Sequence, residues 1–160
     1  MTIYGGGLRV SELVNLKTCD IYASSMRILI RQGKGRRDRF TLLSKTNLDI
    51  LTEYWYSYKP KHPEHYLFLN RSKNKMTTRG ASDIFRKALR QTGIQKPASI
   101  HTLRHCFATH LLENGTDLCQ IKKLLGHTHI QTTSQYLHLS NFENSLISPL
   151  DSLFAKSEVQ

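Results

Sequence analysis

The chain has 160 residues and a mass of 18.4 kDa, and 39% of its residues are hydrophobic, so it can form one domain whose core needs no disulfide or metal. Its formal net charge of +11 favours a polyanionic partner, with nucleic acid first. The sequence has no long apolar run, no signal peptide and only three widely spaced cysteines, which argues against membrane binding and predicts a reduced, cytoplasmic protein.

The first element that the sequence predicts is a helix directly after three glycines. In LRVSELVNL, Leu8, Leu13 and Leu16 recur at roughly helical spacing, immediately after Gly5 to Gly7. Almost no chain precedes this helix to pack against it. The sequence therefore begins as a truncated domain would.

A β-hairpin and a helix come next. The β-rich runs MRILIR and RFTLL flank QGKGRRD, whose glycines suit a turn, so residues 26 to 43 predict a hairpin with a basic tip. The following helix, residues 46 to 58, ends before Pro60. Its expected buried side carries Leu48, Leu51, Trp55 and Tyr58, and packing is also the expected role of Tyr54 and Tyr56.

The second half of the chain reads as a short strand and four helices. The strand is YLFL, residues 66 to 69, and the basic loop RSKNKMTTR leads into a helix with Ile84, Phe85, Ala88 and Leu89 on its buried side. In the helix at residues 100 to 112, Leu103, Phe107, Leu111 and Leu112 form an apolar stripe, while His101, Arg104, His105 and Ala108 share another face.

The last two helices surround a glycine turn. Thr116 or Asp117 can cap a helix with the stripe Leu118, Ile121, Leu124 and Leu125, and Gly126 ends it. A short helix capped by Thr132 or Thr133 would carry Tyr136. The expected fold is α+β and mainly α-helical, with a small antiparallel sheet or hairpin near the N-terminus.

Three histidines and an arginine in HTLRHCFATH raise several chemical alternatives. A zinc protease would place Glu after the first His, but Thr102 stands there, and no cysteine pair has zinc-finger spacing. No GxSxG elbow supports a serine nucleophile, and the glycine run lacks the Lys-Ser/Thr ending of a P-loop. A helix-turn-helix that reads DNA through residues 129 to 138 remains open.

Phosphoryl transfer accounts for more of these residues. Guanidinium and imidazole groups can neutralise the charge on non-bridging phosphate oxygens, and a tyrosine can act as the nucleophile. Arginine, lysine, histidine and tyrosine side chains are all available in the segments described above. The expected site contains no metal, and we expect no cofactor.

The segments YGGGLRVSEL, QGKGRRDR, HTLRHCFATHLLENG, LLGHTHIQTT and SQYLH resemble, in order and approximate spacing, the catalytic domain of tyrosine recombinases, the phage-integrase and Xer-like enzymes. The resemblance runs from about residue 3 to about residue 140. It implies cleavage and rejoining of double-stranded DNA through a 3′-phosphotyrosyl intermediate. A DNA-binding protein without catalysis, or an inactive recombinase fragment, is the alternative.

The resemblance also implies a role for individual residues. It assigns the clamp on the scissile phosphate to Arg9 and Arg104, general acid catalysis to Lys34, and the nucleophile to Tyr136. His101 would assist removal of the tyrosine proton, and His127 would donate to a non-bridging oxygen. Two further residues would support them: Glu12, and His105 by hydrogen bonding, unless His105 is merely structural. Expected contacts to DNA come from Arg31, Arg36, Arg37, Arg39, Lys73, Lys75 and Arg79.

Residues 1–140 are expected to form the catalytic domain, apparently without its first helix and without the N-terminal DNA-binding domain that family members usually carry. We expect such a chain to bind DNA weakly and in a salt-sensitive way. The tail, residues 141–160, is either a segment that docks on a neighbouring protomer or a frayed terminus. Self-association, or association with another recombinase subunit on DNA, is therefore expected.

Overall fold

The protein consists of helices and a small sheet near the N-terminus. The computed structural model describes residues 1–31, 38–127 and 129–139, and residues 138 and 139 are described without their side chains. The helices are α1 (Thr2–Gly6), α2 (Val10–Asn15), α3 (Lys45–Tyr58), α4 (Thr78–Gln91), α5 (Ile100–Glu113), α6 (Leu118–Leu125) and α7 (Gln131–Ser134). The strands are β1 (Ile21–Tyr22), β2 (Arg27–Ile30) and β3 (Arg39–Leu42), and short 3-10 helices span Thr18–Asp20 and Gln135–Leu139.

The two strands of the predicted hairpin are confirmed and are joined by a third strand, whereas the predicted basic tip, residues 32 to 37, lies outside the described residues. The sheet has the order β1-β2-β3 with antiparallel pairing, and Ile28 lies opposite both Ile21 and Thr41. Ile28 and Ile30 are almost fully buried, because alternate residues of β2 face the core. The predicted strand at 66–69 is wrong: this segment makes only isolated bridges, Lys17 with Tyr66 and Leu69 with Lys75.

The buried side chains form two clusters. The larger one joins the N-terminal helices, the sheet and α3, with Leu8, Ile28 and Leu51 among its members. The smaller one lies between α5 and α6 and includes Phe107 and Tyr136. The candidate site lies where the two clusters meet, because Arg104 of α5 reaches across to the first helices.

Two expected buried faces are wrong in detail. On α3, Tyr54 packs against the larger cluster, whereas Trp55 and Tyr58 are exposed. On α4, Ala81 is buried, Ile84 is 59% exposed, and Ala88 is also exposed. Ala81 and Phe85 therefore pack in the larger cluster and Leu89 is half-buried, so the predicted face is right for Phe85 and Leu89 and wrong for Ile84 and Ala88. Sequence periodicity does not fix the buried face of a helix when apolar residues are adjacent.

Asp117 caps α6 as predicted, because its side chain accepts hydrogen bonds from the backbone of Cys119 and Gln120. The predicted cap of α7 is wrong: Ile130 occupies that position, and Thr133 is fully buried. None of the helices in the described ranges is long and apolar enough to cross a membrane.

The glycine run forms a helix, which the sequence did not predict. Helix α1 spans Thr2–Gly6 and ends at Gly7, whose φ of 62° lies in the left-handed region. A Cβ on Gly7 would lie 2.4 Å from Cδ1 of Phe107. This close approach brings α1 against α5 and points the Gly7 carbonyl at Arg104.

Gly7→Ala should therefore lower the free energy of unfolding by about 2 to 4 kcal/mol, because left-handed strain adds to overpacking against Phe107. Gly93→Ala is a matched control, since Gly93 has a φ of 71° but no atom within 4 Å of its would-be Cβ. It should cost about 1 kcal/mol. Urea unfolding measures both, and equal losses would show that contact with Phe107 is unimportant.

Candidate active site

Glu12 is the centre of the candidate site. Its carboxylate is buried on α2, and Oε2 accepts a hydrogen bond of 2.7 Å from the backbone N–H of Arg9. Oε1 accepts a hydrogen bond of 2.8 Å from Nη1 of Arg9. This capping box fixes the Arg9 guanidinium at the first turn of α2, where its side chain is 24% exposed.

Arg39 of β3 holds the same carboxylate from the opposite side. Its Nη1 and Nη2 donate to the two oxygens of Glu12, each at 2.8 Å, in a bidentate pair. Its Nε donates at 2.8 Å to the carbonyl of Leu124, in the last turn of α6. Only 10% of the side chain is exposed. The predicted contact of Arg39 with a DNA phosphate does not fit this geometry, because its polar face is turned to the protein.

Arg104 is buried and joins three parts of the chain. Nη1 donates at 2.6 Å to the carbonyl of Gly7, and Nη2 donates at 2.7 Å to the carbonyl of Leu125. Nη1 also lies 3.7 Å from Oε2 of Glu12. Arg39 and Arg104 thus bind consecutive carbonyls at the end of α6, where unpaired carbonyls and the helix dipole favour cations.

The cluster carries an excess of positive charge, because Arg9, Arg39 and Arg104 share the single carboxylate of Glu12. Burial raises the pKa of Glu12, but hydrogen bonds and charge from Arg39, and hydrogen bonds from Arg9, outweigh it and lower the pKa to about 2. Burial, with the charge of Arg9, lowers the pKa of Arg104 to about 10, so Arg104 stays protonated at neutral pH. Two positive charges are left for an anion.

Replacing Glu12 by Gln should destabilise the fold in a pH-dependent way. The pKa of Glu12 is about 2 in the folded chain against an ordinary 4.5, so its ionised form stabilises the fold above pH 4.5. That contribution is lost as the pH falls toward 2. The shift corresponds to about 3 kcal/mol at neutral pH.

Urea unfolding of wild type and Glu12→Gln at pH 7 and at pH 3 measures this difference. The gap between the two proteins should narrow at the lower pH. Glu53→Gln, on the exposed side of α3, is a control that should change the unfolding free energy by less than about 0.5 kcal/mol. A gap of the same size at both pH values would contradict the assigned charge network.

His127 lies beside the cluster in the turn after α6. Its Nε2 is 3.2 Å from Nη2 of Arg104, and its Nδ1 is 2.9 Å from Oγ1 of Thr133. Gly126 makes the turn, with a φ of 66°, and the backbone N–H of His127 donates to the carbonyl of Lys122. The imidazole is therefore held on both nitrogens, and Thr133 is a contact that the sequence reasoning missed.

Tyr136 is in the core of the second cluster and is only 1% exposed. Burial raises the pKa of its phenol, and the positive charges of Arg104 and Arg9 offset part of that rise. The phenol is therefore close enough to sense the arginine cluster but is not open to solvent in this conformation. An attack on DNA would require it to leave its packing position.

Two of the three histidines of α5, His101 and His105, were predicted to serve the site, and both are exposed. His105 packs its ring against Tyr136, with centroids 5.7 Å apart, in place of the predicted support by hydrogen bonding. His101 is exposed on the first turn of α5, three residues before Arg104. The spacing puts the two on neighbouring positions of the helix surface, as predicted, although Arg104 itself is buried.

The remaining predicted DNA contacts are distributed over the surface. Arg31 is half-exposed and donates from Nε to Asp20 at 2.6 Å. Lys75 bonds to Asn15 and lies over the ring of Tyr66. Lys73, in the loop before α4, and Arg79, in its first turn, are exposed. Lys34, Arg36 and Arg37 fall outside the described residues.

Sequence comparison places this chain in a known family. Residues 1–143 match the profile of the Phage integrase family. The chain is 41% identical over 143 residues to the tyrosine recombinase XerD of Listeria innocua, which covers 86% of this chain and 48% of that protein. It is 41% identical over 140 residues to the tyrosine recombinase XerC of Chlamydia caviae, with 86% and 45% covered. The chain thus spans about half the length of these relatives.

Solved structures agree with the sequence comparison. The crystal structure of the XerA recombinase superposes with a TM-score of 0.81 at 31% identity, covering 99% of this chain and 55% of that one. The XerH recombinase bound to its difH substrate, in a pre-cleavage complex, gives a TM-score of 0.75 at 27% identity, with 86% and 40% covered. The fold, the profile and these likenesses agree, and the chain belongs to the phage integrase family of tyrosine recombinases.

Proposed function

We propose that this chain is the catalytic domain of a site-specific DNA recombinase, which cleaves and rejoins DNA through a 3′-phosphotyrosyl intermediate. One observation carries the proposal: three guanidinium groups share the carboxylate of Glu12, beside His127 and Tyr136. Such a cluster carries two excess positive charges and suits an anionic phosphodiester. Membership of the phage integrase family supports DNA cleavage and rejoining as the reaction.

The proposed chemistry begins with a phosphate held by Arg9, Arg104 and His127. Negative charge grows on the non-bridging oxygens as the phosphorus becomes five-coordinate, and fixed donors stabilise that charge without reorganising. Arg9 is the more accessible of the two arginines, and the contacts of Arg104 with Gly7 and Leu125 hold its guanidinium rigid.

Tyr136 is proposed as the nucleophile. Its phenolic oxygen forms a bond to phosphorus while the bond to the 5′ oxygen breaks, giving a phosphotyrosyl link and a 5′ hydroxyl. His101 assists removal of the phenolic proton, His105 packs against the ring, and Lys34 gives a proton to the leaving oxygen. The covalent link keeps the bond energy for rejoining, so the reaction calls for no cofactor.

Contacts along the DNA are proposed for six further basic residues, namely Arg31, Arg36, Arg37, Lys73, Lys75 and Arg79. We propose residues 1–140 as the catalytic domain, and residues 141–160 as a tail for self-association or for binding another recombinase subunit. A cytoplasmic location is part of this proposal, because the relatives are bacterial proteins and bacterial DNA lies in the cytoplasm.

Covalent capture tests the proposed function. The protein is mixed with a pool of random-sequence duplexes that carry a nick at one fixed position. When cleavage occurs a few nucleotides to the 5′ side of that nick, the short fragment with the 5′ hydroxyl diffuses away. An adduct that survives denaturing electrophoresis is expected, and sequencing its DNA gives the preferred duplex. DNA binding without any adduct would contradict the proposal and favour a helix-turn-helix DNA-binding protein or an inactive fragment.

A further inference from the structure

Arg39 connects the sheet to two helices of the candidate site, α2 and α6. It leaves β3, binds both oxygens of Glu12 on α2, and donates to the carbonyl of Leu124 at the end of α6. All three of its donor nitrogens are used in these bonds, each of which is 2.8 Å long. Only a planar fork of this kind can reach two carboxylate oxygens and a carbonyl together.

The turn that carries His127 is shaped around the Arg39 side chain. A Cβ on Gly126 would lie 2.9 Å from Cδ of Arg39 and 3.0 Å from its Nε. Gly126 also has a φ of 66°, which a side chain would strain. The position thus needs glycine for two reasons, and one of them is the presence of the arginine.

We propose that Arg39 is a positioning residue for the phosphate clamp. Its bonds to Glu12 hold that carboxylate and thereby place Arg9. Its bond to the carbonyl of Leu124 holds the end of α6 and thereby places His127. The inference rests on the proposed function, since it names a residue that serves the same site. Arg39 acts through its neighbours and does not touch the phosphate. The positive charge of Arg39 also stabilises the C-terminal end of α6, where Arg104 donates to the carbonyl of Leu125.

The decisive variant is Arg39→Lys, which keeps the charge but loses the bidentate pair. A second variant, Gly126→Ala, displaces the Arg39 side chain without changing it. Two controls match them: Arg27→Lys on the exposed part of β2, and Gly115→Ala, whose φ is 79° and whose would-be Cβ meets no atom within 4 Å.

The first measurement needs no DNA. In NMR spectra of the histidine rings, the His127 resonances should shift in Arg39→Lys and in Gly126→Ala and stay in place in both controls. Unchanged His127 resonances in a folded Arg39→Lys protein would overturn the inference. If that variant does not fold, Gly126→Ala takes its place, and unchanged His127 resonances there, with the Arg39 side chain displaced, would equally overturn the inference.

The second measurement separates positioning from phosphate binding on the captured nicked duplex. With DNA saturating, the rate of adduct formation should fall about 10- to 100-fold in Arg39→Lys, as for other residues that orient a reacting group. The dependence of log Kd on log salt should keep its slope. A slope reduced by about 1 with an unchanged rate would make Arg39 a phosphate contact and overturn the inference. If wild type forms no adduct, the proposed function fails, and the His127 spectra still decide the role of Arg39.

Discussion

Tyr136→Phe should abolish the covalent adduct while leaving DNA binding intact. The substitution removes only the oxygen that would bond to phosphorus, and the ring keeps its place against His105 and in the second cluster. Adduct formation should fall below detection, and the Kd for the nicked duplex should stay the same within about twofold, because affinity comes mainly from phosphate contacts elsewhere. Denaturing gels and fluorescence anisotropy measure the two quantities.

Tyr56→Phe is the matched control, because Tyr56 is 71% exposed on α3 and belongs to neither cluster. That variant should form the adduct at the wild-type rate. An adduct that persists in Tyr136→Phe would show that another tyrosine, or another kind of side chain, is the nucleophile.

Arg104→Ala should damage both the fold and the reaction. It leaves the carbonyls of Gly7 and Leu125 without their donor and removes one positive charge from beside Glu12. The expected loss in unfolding free energy is about 3 to 5 kcal/mol, because breaking a buried charged contact leaves its partners uncompensated. The adduct rate of the remaining folded protein should fall about 100- to 1000-fold, as for removal of one fixed donor to a developing oxyanion.

Arg86→Ala tests whether this effect is specific. Arg86 is an exposed residue of α4 that pairs with Asp83, and its loss should change the unfolding free energy by less than about 0.5 kcal/mol. Urea unfolding and single-turnover capture apply to both variants. If Arg104→Ala were as stable as Arg86→Ala, the buried network around Gly7 and Leu125 would not support the fold as described.

The elements that the sequence predicted well are those with strong local signals. Glycines between β-rich runs marked the β2–β3 hairpin, and Asp117 and Gly126 marked both ends of α6. Helix α1 was missed because glycines oppose helix formation, and packing of Gly7 against Phe107 overrides that preference. The buried face of α4 was predicted only in part, because adjacent apolar residues leave the orientation of the helix undetermined.

The candidate site was predicted in its charged residues but not in its connections. The resemblance named Arg9, Glu12, Arg104 and His127, and the structure brings these four together. The resemblance did not reveal that Arg104 is buried or that Arg39 turns inward, since a sequence shows charge but not burial. The carbonyls of Gly7, Leu124 and Leu125 leave no trace in residue types, because every residue has one.

A structure of the Tyr136→Phe protein bound to its captured duplex tests the central claim most directly. The account predicts that nitrogens of Arg9, Arg104 and His127 lie within about 2.7 to 3.2 Å of the non-bridging oxygens of one phosphate, with the ring at position 136 facing it. A backbone phosphate held only by surface lysines, with Arg9 and His127 turned away from it, would contradict the account.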